Sequence, residues 1–169
     1  MKKQPDPALE ARALADELNH RFAGAGAEEV IAYAVREGFP GAVGAVSSFG
    51  AESAVLLNLI ASVEKSTPIL FLNTGKHFGE TLDYRRELTA SLGLKDVRDV
   101  EPLADKLATD DPDGTLHTVS TDRCCAIRKV EPMARAVIPF DAWFTGRKRF
   151  QASTRAALPL FEAVGHRIR

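Results

Sequence analysis

Short apolar runs alternate along this chain with longer stretches in which apolar residues recur every three or four positions. Runs bounded by glycine or proline are typical of buried strands, and the longer periodicity predicts helices. The predicted strands cover residues 42–46, 68–72, 96–100 and 142–145. The predicted helices cover residues 7–22, 27–37, 54–63, 80–92 and a stretch from about 124 toward 137, with a break or kink at Pro132. Residues 159–169 predict a hairpin that turns at Gly165.

The alternation of strands and helices indicates an α/β protein with a mostly parallel sheet and helices on both faces. A chain of 169 residues is long enough to bury the core of one domain. We therefore expect a single domain over residues 1–169. Within it, residues 1–38 form an N-terminal helical cap and residues 42–169 form the α/β core.

Charge and hydropathy narrow the classes of partner. The 22 Lys and Arg residues and 23 Asp and Glu residues give a net charge of −1, so no basic excess predicts nucleic-acid binding. An anion site must then come from a local cluster. No apolar run is long enough to span a bilayer, and the N-terminus lacks an apolar signal-peptide core. We expect a cytoplasmic protein with no membrane partner.

Three polar loops follow predicted strands, at residues 47–53, 73–77 and 146–155. Ligands of open α/β sheets bind beyond the carboxyl ends of the strands, which favours these loops as a site. In the first loop, small residues and the hydroxyls of Ser47, Ser48 and Ser53 precede a helix, an arrangement that suits an anion. The loop matches neither the Walker nor the dinucleotide glycine pattern. The alternative is an ordinary strand-to-helix turn with a serine cap.

The third loop is rich in cations, with Arg147, Lys148, Arg149 and Arg155 following a predicted buried strand. Guanidinium and ammonium groups in that position predict a clamp for phosphate or sulfate. The alternative is a solvated charged face.

The two cysteines of the chain, Cys124 and Cys125, are adjacent, which excludes a disulfide scaffold. Asp122 is predicted to cap the helix on which they lie. Neighbouring side chains on a helix point about 100° apart, so the pair does not have the spacing of a zinc site. Two thiolates can supply half of the ligands of a four-cysteine iron–sulfur cluster.

Four segments of the chain read SSFGAES at 47–53, FLNTGKHF at 71–78, CCAIRKVEP at 124–132 and AWFTGRKRFQ at 142–151, followed by Thr154 and Arg155. Together they resemble the assimilatory adenylyl-sulfate reductases, the iron–sulfur branch of the adenylyl- and phosphoadenylyl-sulfate reductase family. The resemblance runs in order from residue 42 to residue 169. The first 38 residues match only loosely.

The resemblance implies an adenine nucleotide α-hydrolase-like, Rossmann-like fold related to the ATP pyrophosphatases. It implies reduction of adenylyl sulfate to sulfite and AMP, in sulfate assimilation and cysteine biosynthesis, with thioredoxin as electron donor. In such enzymes a cysteine near the C-terminus attacks the sulfur atom, and thioredoxin resolves the resulting S-sulfocysteine.

The same resemblance implies roles for individual residues. Cys124 and Cys125 would be two ligands of a [4Fe–4S] cluster, and Lys129 would lie between that cluster and the substrate. Leu72 and Gly146 would offer backbone groups to adenine. The groups that would hold the phosphosulfate and the anionic end of the substrate are Ser47, Ser48, Gly50, Ser53, Lys148, Arg149 and Arg155.

This chain departs from the family pattern at three points. The 169 residues contain neither a second cysteine pair nor a C-terminal nucleophilic cysteine, and Asn73 stands where the family usually has Asp. We expect either a family member shortened at its C-terminal end or a degenerate copy, which the genomic sequence downstream of Arg169 distinguishes. The chain alone is expected neither to hold a stable cluster nor to turn over substrate.

Three functions are therefore compared. The first is the reductase, and the second is an adenine-nucleotide-binding module without redox chemistry. The third is an adenylating enzyme that cleaves ATP, which ranks lowest because its relatives prefer a Ser-Gly-Gly-x-Asp-Ser loop. The cysteine pair favours adenylyl sulfate over its 3′-phosphorylated form as substrate, and a homo-oligomer is left open.

Overall fold

The computed structural model describes residues 6–147 and 158–169. Within this part of the chain, the strands are β1 (Val43–Ser47), β2 (Ile69–Leu72), β3 (Val97–Val100), β4 (Ala142–Thr145), β5 (Ala163–Val164) and β6 (Arg167–Ile168). They form one sheet in the order β3-β2-β1-β4-β6-β5. All neighbours are parallel except β5 and β6, which form the antiparallel hairpin that the sequence predicts around Gly165.

The helices of the described residues are α1 (Pro7–Arg21), α2 (Ala27–Tyr33), α3 (Ser53–Val63), α4 (Gly79–Leu92), α5 (Ala104–Asp110), α6 (Leu116–Val119), α7 (Thr121–Cys125) and α8 (Glu131–Ala136). Two π-helical turns continue them: Ala34–Gly38 follows α2, and Ala126–Val130 joins α7 to α8. None of these helices has the length and apolar character needed to cross a membrane.

Alternate residues of the central strands pack on opposite faces of the sheet, as the pleat requires. Ile69 and Phe71 of β2 lie in a core cluster with residues of α3 and α4. Leu70, between them, packs on the other face with Val137 and Trp143. The predicted mostly parallel α/β sheet with helices on both faces is thereby confirmed.

Several element boundaries differ from the predictions. The helix expected from residue 124 begins at Thr121, and its N-cap is Ser120 rather than Asp122, because the Ser120 hydroxyl accepts from the Arg123 amide at 3.4 Å. The break or kink predicted at Pro132 corresponds to the π-helical turn that ends at Val130, just before α8. Pro132 itself lies in the first turn of α8, where its missing N–H is tolerated. Helices α5 and α6 were not predicted.

Helix α1 is attached to the chain that leads into the β5–β6 hairpin. The Asn19 side-chain oxygen accepts from the backbone amides of Leu160 and Phe161 at 3.0 and 2.9 Å, and its amide donates to the Phe161 carbonyl at 2.7 Å. Phe22 and Phe161 pack in the same core cluster. The N-terminal helix thus packs beside the far edge of the sheet, away from β2 and β3.

Candidate nucleotide site and cysteine helix

The order of the strands creates a crevice at one edge of the sheet. From β1 the chain proceeds to β2 and then β3 on one side, whereas β4 pairs with β1 on the other side. In open α/β folds ligands bind at such a switch point, beyond the carboxyl ends of the strands. The loops that follow β1, β2 and β4 all begin at this edge because these strands are parallel.

The loop after β1 is held by a buried phenylalanine. Ser47 is the last residue of β1, and its hydroxyl accepts from the Phe49 amide at 3.0 Å. Phe49 has a φ of 53°, which a bulky residue rarely adopts, while its buried ring packs edge-on against Phe71 at 5.6 Å. The strained turn leaves Ser48 and Gly50 exposed at the edge of the sheet.

The same loop leads directly into α3. The Ser53 amide donates to the Gly50 carbonyl at 2.8 Å. The expected alternative of a serine cap is wrong, because the N-cap residue is Glu52 and its side chain makes no capping hydrogen bond. The turn is therefore organised by Phe49 and Ser47. Sequence reasoning missed Phe49, although a lone aromatic among small residues at 47–53 was a usable signal.

The loop after β2 is closed on itself by side chains. The His77 Nε2 atom lies 2.9 Å from the Leu72 carbonyl oxygen, and the His77 ring packs 4.9 Å from the Phe71 ring. Asn73 accepts from the Gly75 amide at 3.2 Å and donates to Glu101 at 3.0 Å. The Leu72 carbonyl, expected to face adenine, already has one partner in His77.

A buried ion pair connects this loop to α7 and the π-helical turn that continues it (residues 121–130), together called the cysteine helix. The guanidinium of Arg128 donates to the Asp111 carboxylate through Nε and Nη2, at 3.2 and 2.5 Å, and to the Thr74 carbonyl through Nη1 at 2.8 Å. Hydrogen bonds from Arg128 and from the Leu116 amide hold the pKa of the Asp111 carboxyl below its usual range. Sequence reasoning did not pair Arg128 with Asp111, since no local spacing joins them.

Cys124 and Cys125 lie at the end of α7, the first buried and the second partly exposed. Lys129 follows them in the π-helical turn with its side chain exposed. Within residues 6–147 and 158–169, no three His, Cys, Asp or Glu side chains are placed to hold a metal ion together. Two thiols do not by themselves fit a cluster that takes four thiolate ligands.

The loop after β4 is described only at its beginning. Gly146 is exposed, and Arg147, expected in the anion clamp, donates to Glu162 at 2.7 Å and to the Thr145 hydroxyl at 3.3 Å. Arg169 shares the same Glu162 oxygen at 2.7 Å, and the two guanidinium groups lower the pKa of the Glu162 carboxyl. The predicted substrate residues Lys148, Arg149 and Arg155 lie outside the described residues.

Comparisons with known proteins agree on one family. The profile of the phosphoadenosine phosphosulfate reductase domain matches residues 43–167. A protein of Mesorhizobium japonicum named adenosine 5′-phosphosulfate reductase is 60% identical over 141 residues, which cover 83% of this chain and 56% of that protein. A protein of Chelativorans sp. (strain BNC1) with the same name is 54% identical over 170 residues, which cover 100% of this chain and 69% of the relative.

A solved structure shares the fold. The phosphate complex of phosphoadenylyl-sulfate reductase from Candida auris is 27% identical, with a TM-score of 0.69 over 88% of this chain and 71% of that chain. The first relative is thus matched over little more than half of its own length, and the second over little more than two thirds.

Proposed function

Because this chain belongs to the phosphoadenosine phosphosulfate reductase domain family, we propose that it binds adenylyl sulfate at the switch point between β1 and β4. The observation that carries the proposal is the strained turn at Phe49, which presents Ser48 and Gly50 at the carboxyl end of β1 and at the start of α3. A helix N-terminus and small residues suit a phosphosulfate group. The names of the two relatives support adenylyl sulfate over its 3′-phosphorylated form.

The remaining predicted residues are assigned to positions around the phosphosulfate group. Ser47 and Ser53 flank the turn, and the backbone groups of Leu72 and Gly146 face adenine. Lys129, exposed in the π-helical turn after the cysteines, faces the sulfate end, because a cation lowers the repulsion that a thiolate meets there. Three of the four cations of the third loop, Lys148, Arg149 and Arg155, complete the set in this proposal.

The reaction proposed for the whole protein is a thioredoxin-dependent reduction in the cytoplasm. A thiolate attacks the sulfur atom of adenylyl sulfate, the bond between sulfur and the phosphate oxygen breaks, and AMP leaves with that electron pair. One thioredoxin thiol then attacks the S-sulfocysteine and releases sulfite. The second thioredoxin thiol closes a disulfide and restores the cysteine, so thioredoxin supplies both electrons.

Cys124 and Cys125 are not assigned the nucleophilic role. We assign them as two ligands of a [4Fe–4S] cluster, whose other two thiolate ligands are not among the cysteines of these 169 residues. Because neither of its two cysteines is assigned as the nucleophile and two thiolates do not complete the cluster, the 169-residue chain by itself is proposed to act as an adenine-nucleotide-binding module. This is the second candidate function.

Calorimetry on the 169-residue chain with AMP and adenylyl sulfate tests the proposal. Ser53→Ala is expected to weaken the binding of both by about tenfold, the effect of one hydrogen bond to a charged group. Ser62→Ala, on the exposed far end of the same helix, is the matched control and leaves both affinities unchanged. Lys129→Ala weakens adenylyl sulfate more than AMP. Absence of binding at millimolar AMP would overturn the proposal.

A further inference from the structure

The π-helical turn that follows the cysteines buries a charged side chain and exposes an apolar one. Arg128 is 6% exposed, whereas Val130, two residues on, is 64% exposed. Helices ordinarily rotate so that their apolar side chains face the core and their charges face water. Apolar burial therefore does not determine how this stretch is rotated about its axis.

The contacts of Arg128 account for the rotation. Its guanidinium joins three segments that are distant in sequence: the helix that carries it, the loop at Thr74 and the loop at Asp111. The second Asp111 oxygen accepts from the Leu116 amide at 2.8 Å, so both carboxylate oxygens have partners. Only the planar fork of arginine can reach the Asp111 carboxylate and the Thr74 carbonyl at once.

Exposure of the cysteines follows the same rotation. Cys124, four positions before Arg128, is buried like it, while Cys125 is partly exposed and Lys129, four positions later, is exposed. We propose that Arg128 is a positioning residue that sets the rotation of the cysteine helix against the Thr74 loop, and thereby turns Cys124 inward and Cys125 outward. The inference rests on the proposed function only for the role of the two cysteines. The rotation of the helix is argued from the contacts of Arg128 and does not depend on that function.

Thiol alkylation measures this rotation without nucleotide, metal or enzymatic activity. The reaction of iodoacetamide is followed in the folded 169-residue chain in two backgrounds, Cys124→Ser and Cys125→Ser, so that each thiol is observed alone. With Arg128 in place in both backgrounds, Cys125 is expected to react faster than Cys124 by roughly fivefold or more, because it is the more accessible thiol. Arg128→Lys keeps the charge but loses the fork, and the ratio of the two rates falls below about twofold.

A variant that is only destabilised must behave differently. Leu18→Ala opens a cavity in the core under α1, which contains neither the cysteine helix nor its partners. It should keep the ratio of rates of the unchanged chain, and an equal change in this control would overturn the proposal. An unchanged ratio in Arg128→Lys would also overturn the proposal.

Asp111→Asn removes the charge partner of Arg128 and is expected to lower the ratio of the two rates as well. This second variant keeps the test available if Arg128→Lys does not fold. Loss of AMP binding in calorimetry would contradict the proposed function and leave this ratio unaffected.

Discussion

At the scale of single residues, the hydrogen bonds of Asn73 use both halves of its amide. The oxygen accepts from the Gly75 amide, and the nitrogen donates to the Glu101 carboxylate at 3.0 Å. A carboxylate at this position could accept from Gly75 but has no proton for Glu101. Glu101 therefore favours an amide over a carboxylate at position 73.

The substitution Asn73→Asp tests this pairing. We expect it to lower the free energy of unfolding at pH 7.5 by about 1 kcal/mol, through a lost hydrogen bond and like-charge repulsion. The pKa of the introduced carboxyl is raised in the folded state, so the loss shrinks as the pH falls toward 4.5. Urea unfolding at the two pH values measures both effects. Asn58→Asp, exposed on α3, adds the same charge and should show neither.

At the scale of elements, one side chain attaches α1 to the end of the described chain. Asn19→Ala removes three hydrogen bonds to the backbone of Leu160 and Phe161. We expect the free energy of unfolding to fall by about 2 kcal/mol, since each bond contributes about 1 kcal/mol and water replaces part of that loss. Urea unfolding followed by the fluorescence of Trp143, the one tryptophan of the sequence, measures it.

The control for this attachment is Asn58→Ala. Asn58 is also a helical asparagine, but it is exposed and has no such contacts to another element among the described residues. It should change stability by no more than about 0.5 kcal/mol. Equal effects of the two substitutions would mean that Asn19 does not attach α1 to the 160–161 backbone in solution.

At the scale of the whole molecule, several carboxylates carry depressed pKa values because arginines donate to them. Asp111 is paired with Arg128, Glu162 with Arg147 and Arg169, and Asp96 with Arg98. A carboxyl whose folded-state pKa is lowered stabilises the fold above its unfolded pKa, and that stabilisation is lost as the pH falls through the folded value. The protein is therefore expected to lose stability progressively below about pH 4.

Asp111→Asn should flatten this acid dependence. The variant is less stable than the unchanged chain at pH 7, and the difference between them narrows as the pH falls from about 4 toward 2.5. Urea unfolding across this range gives both curves. Curves that stay parallel would show that Asp111 does not contribute to the acid dependence.

Cluster content is also a property of the whole chain. Anaerobic reconstitution with iron and sulfide is expected to leave the 169-residue chain without a stable [4Fe–4S] cluster, because Cys124 and Cys125 supply two of four thiolates. Iron and sulfide counting measures this directly, alongside a thioredoxin-coupled assay for sulfite. About four irons per chain together with sulfite release would refute both the expectation and the ligand assignment.

Much of the architecture was accessible from local patterns. Strand β4 has the predicted bounds, β1 begins and ends one residue later than predicted, and β2 begins one residue later than predicted. Helix α4 ends at Leu92, and the left-handed conformation of Gly93 closes it, as predicted. Helices α5 and α6 were missed because they are short and bury few side chains, which leaves little apolar periodicity to detect.

The sequence by itself determined the fold class, the position of the polar loops after the strands and the family, because these depend on residue order and on periodicity along the chain. Tertiary structure alone decided that Arg147 pairs with Glu162, that Phe49 organises the first loop and that Arg128 sets the rotation of the cysteine helix. Each of these depends on a partner in another segment. Local propensity carries no information about such contacts, since they exist only once the sheet has brought the segments together.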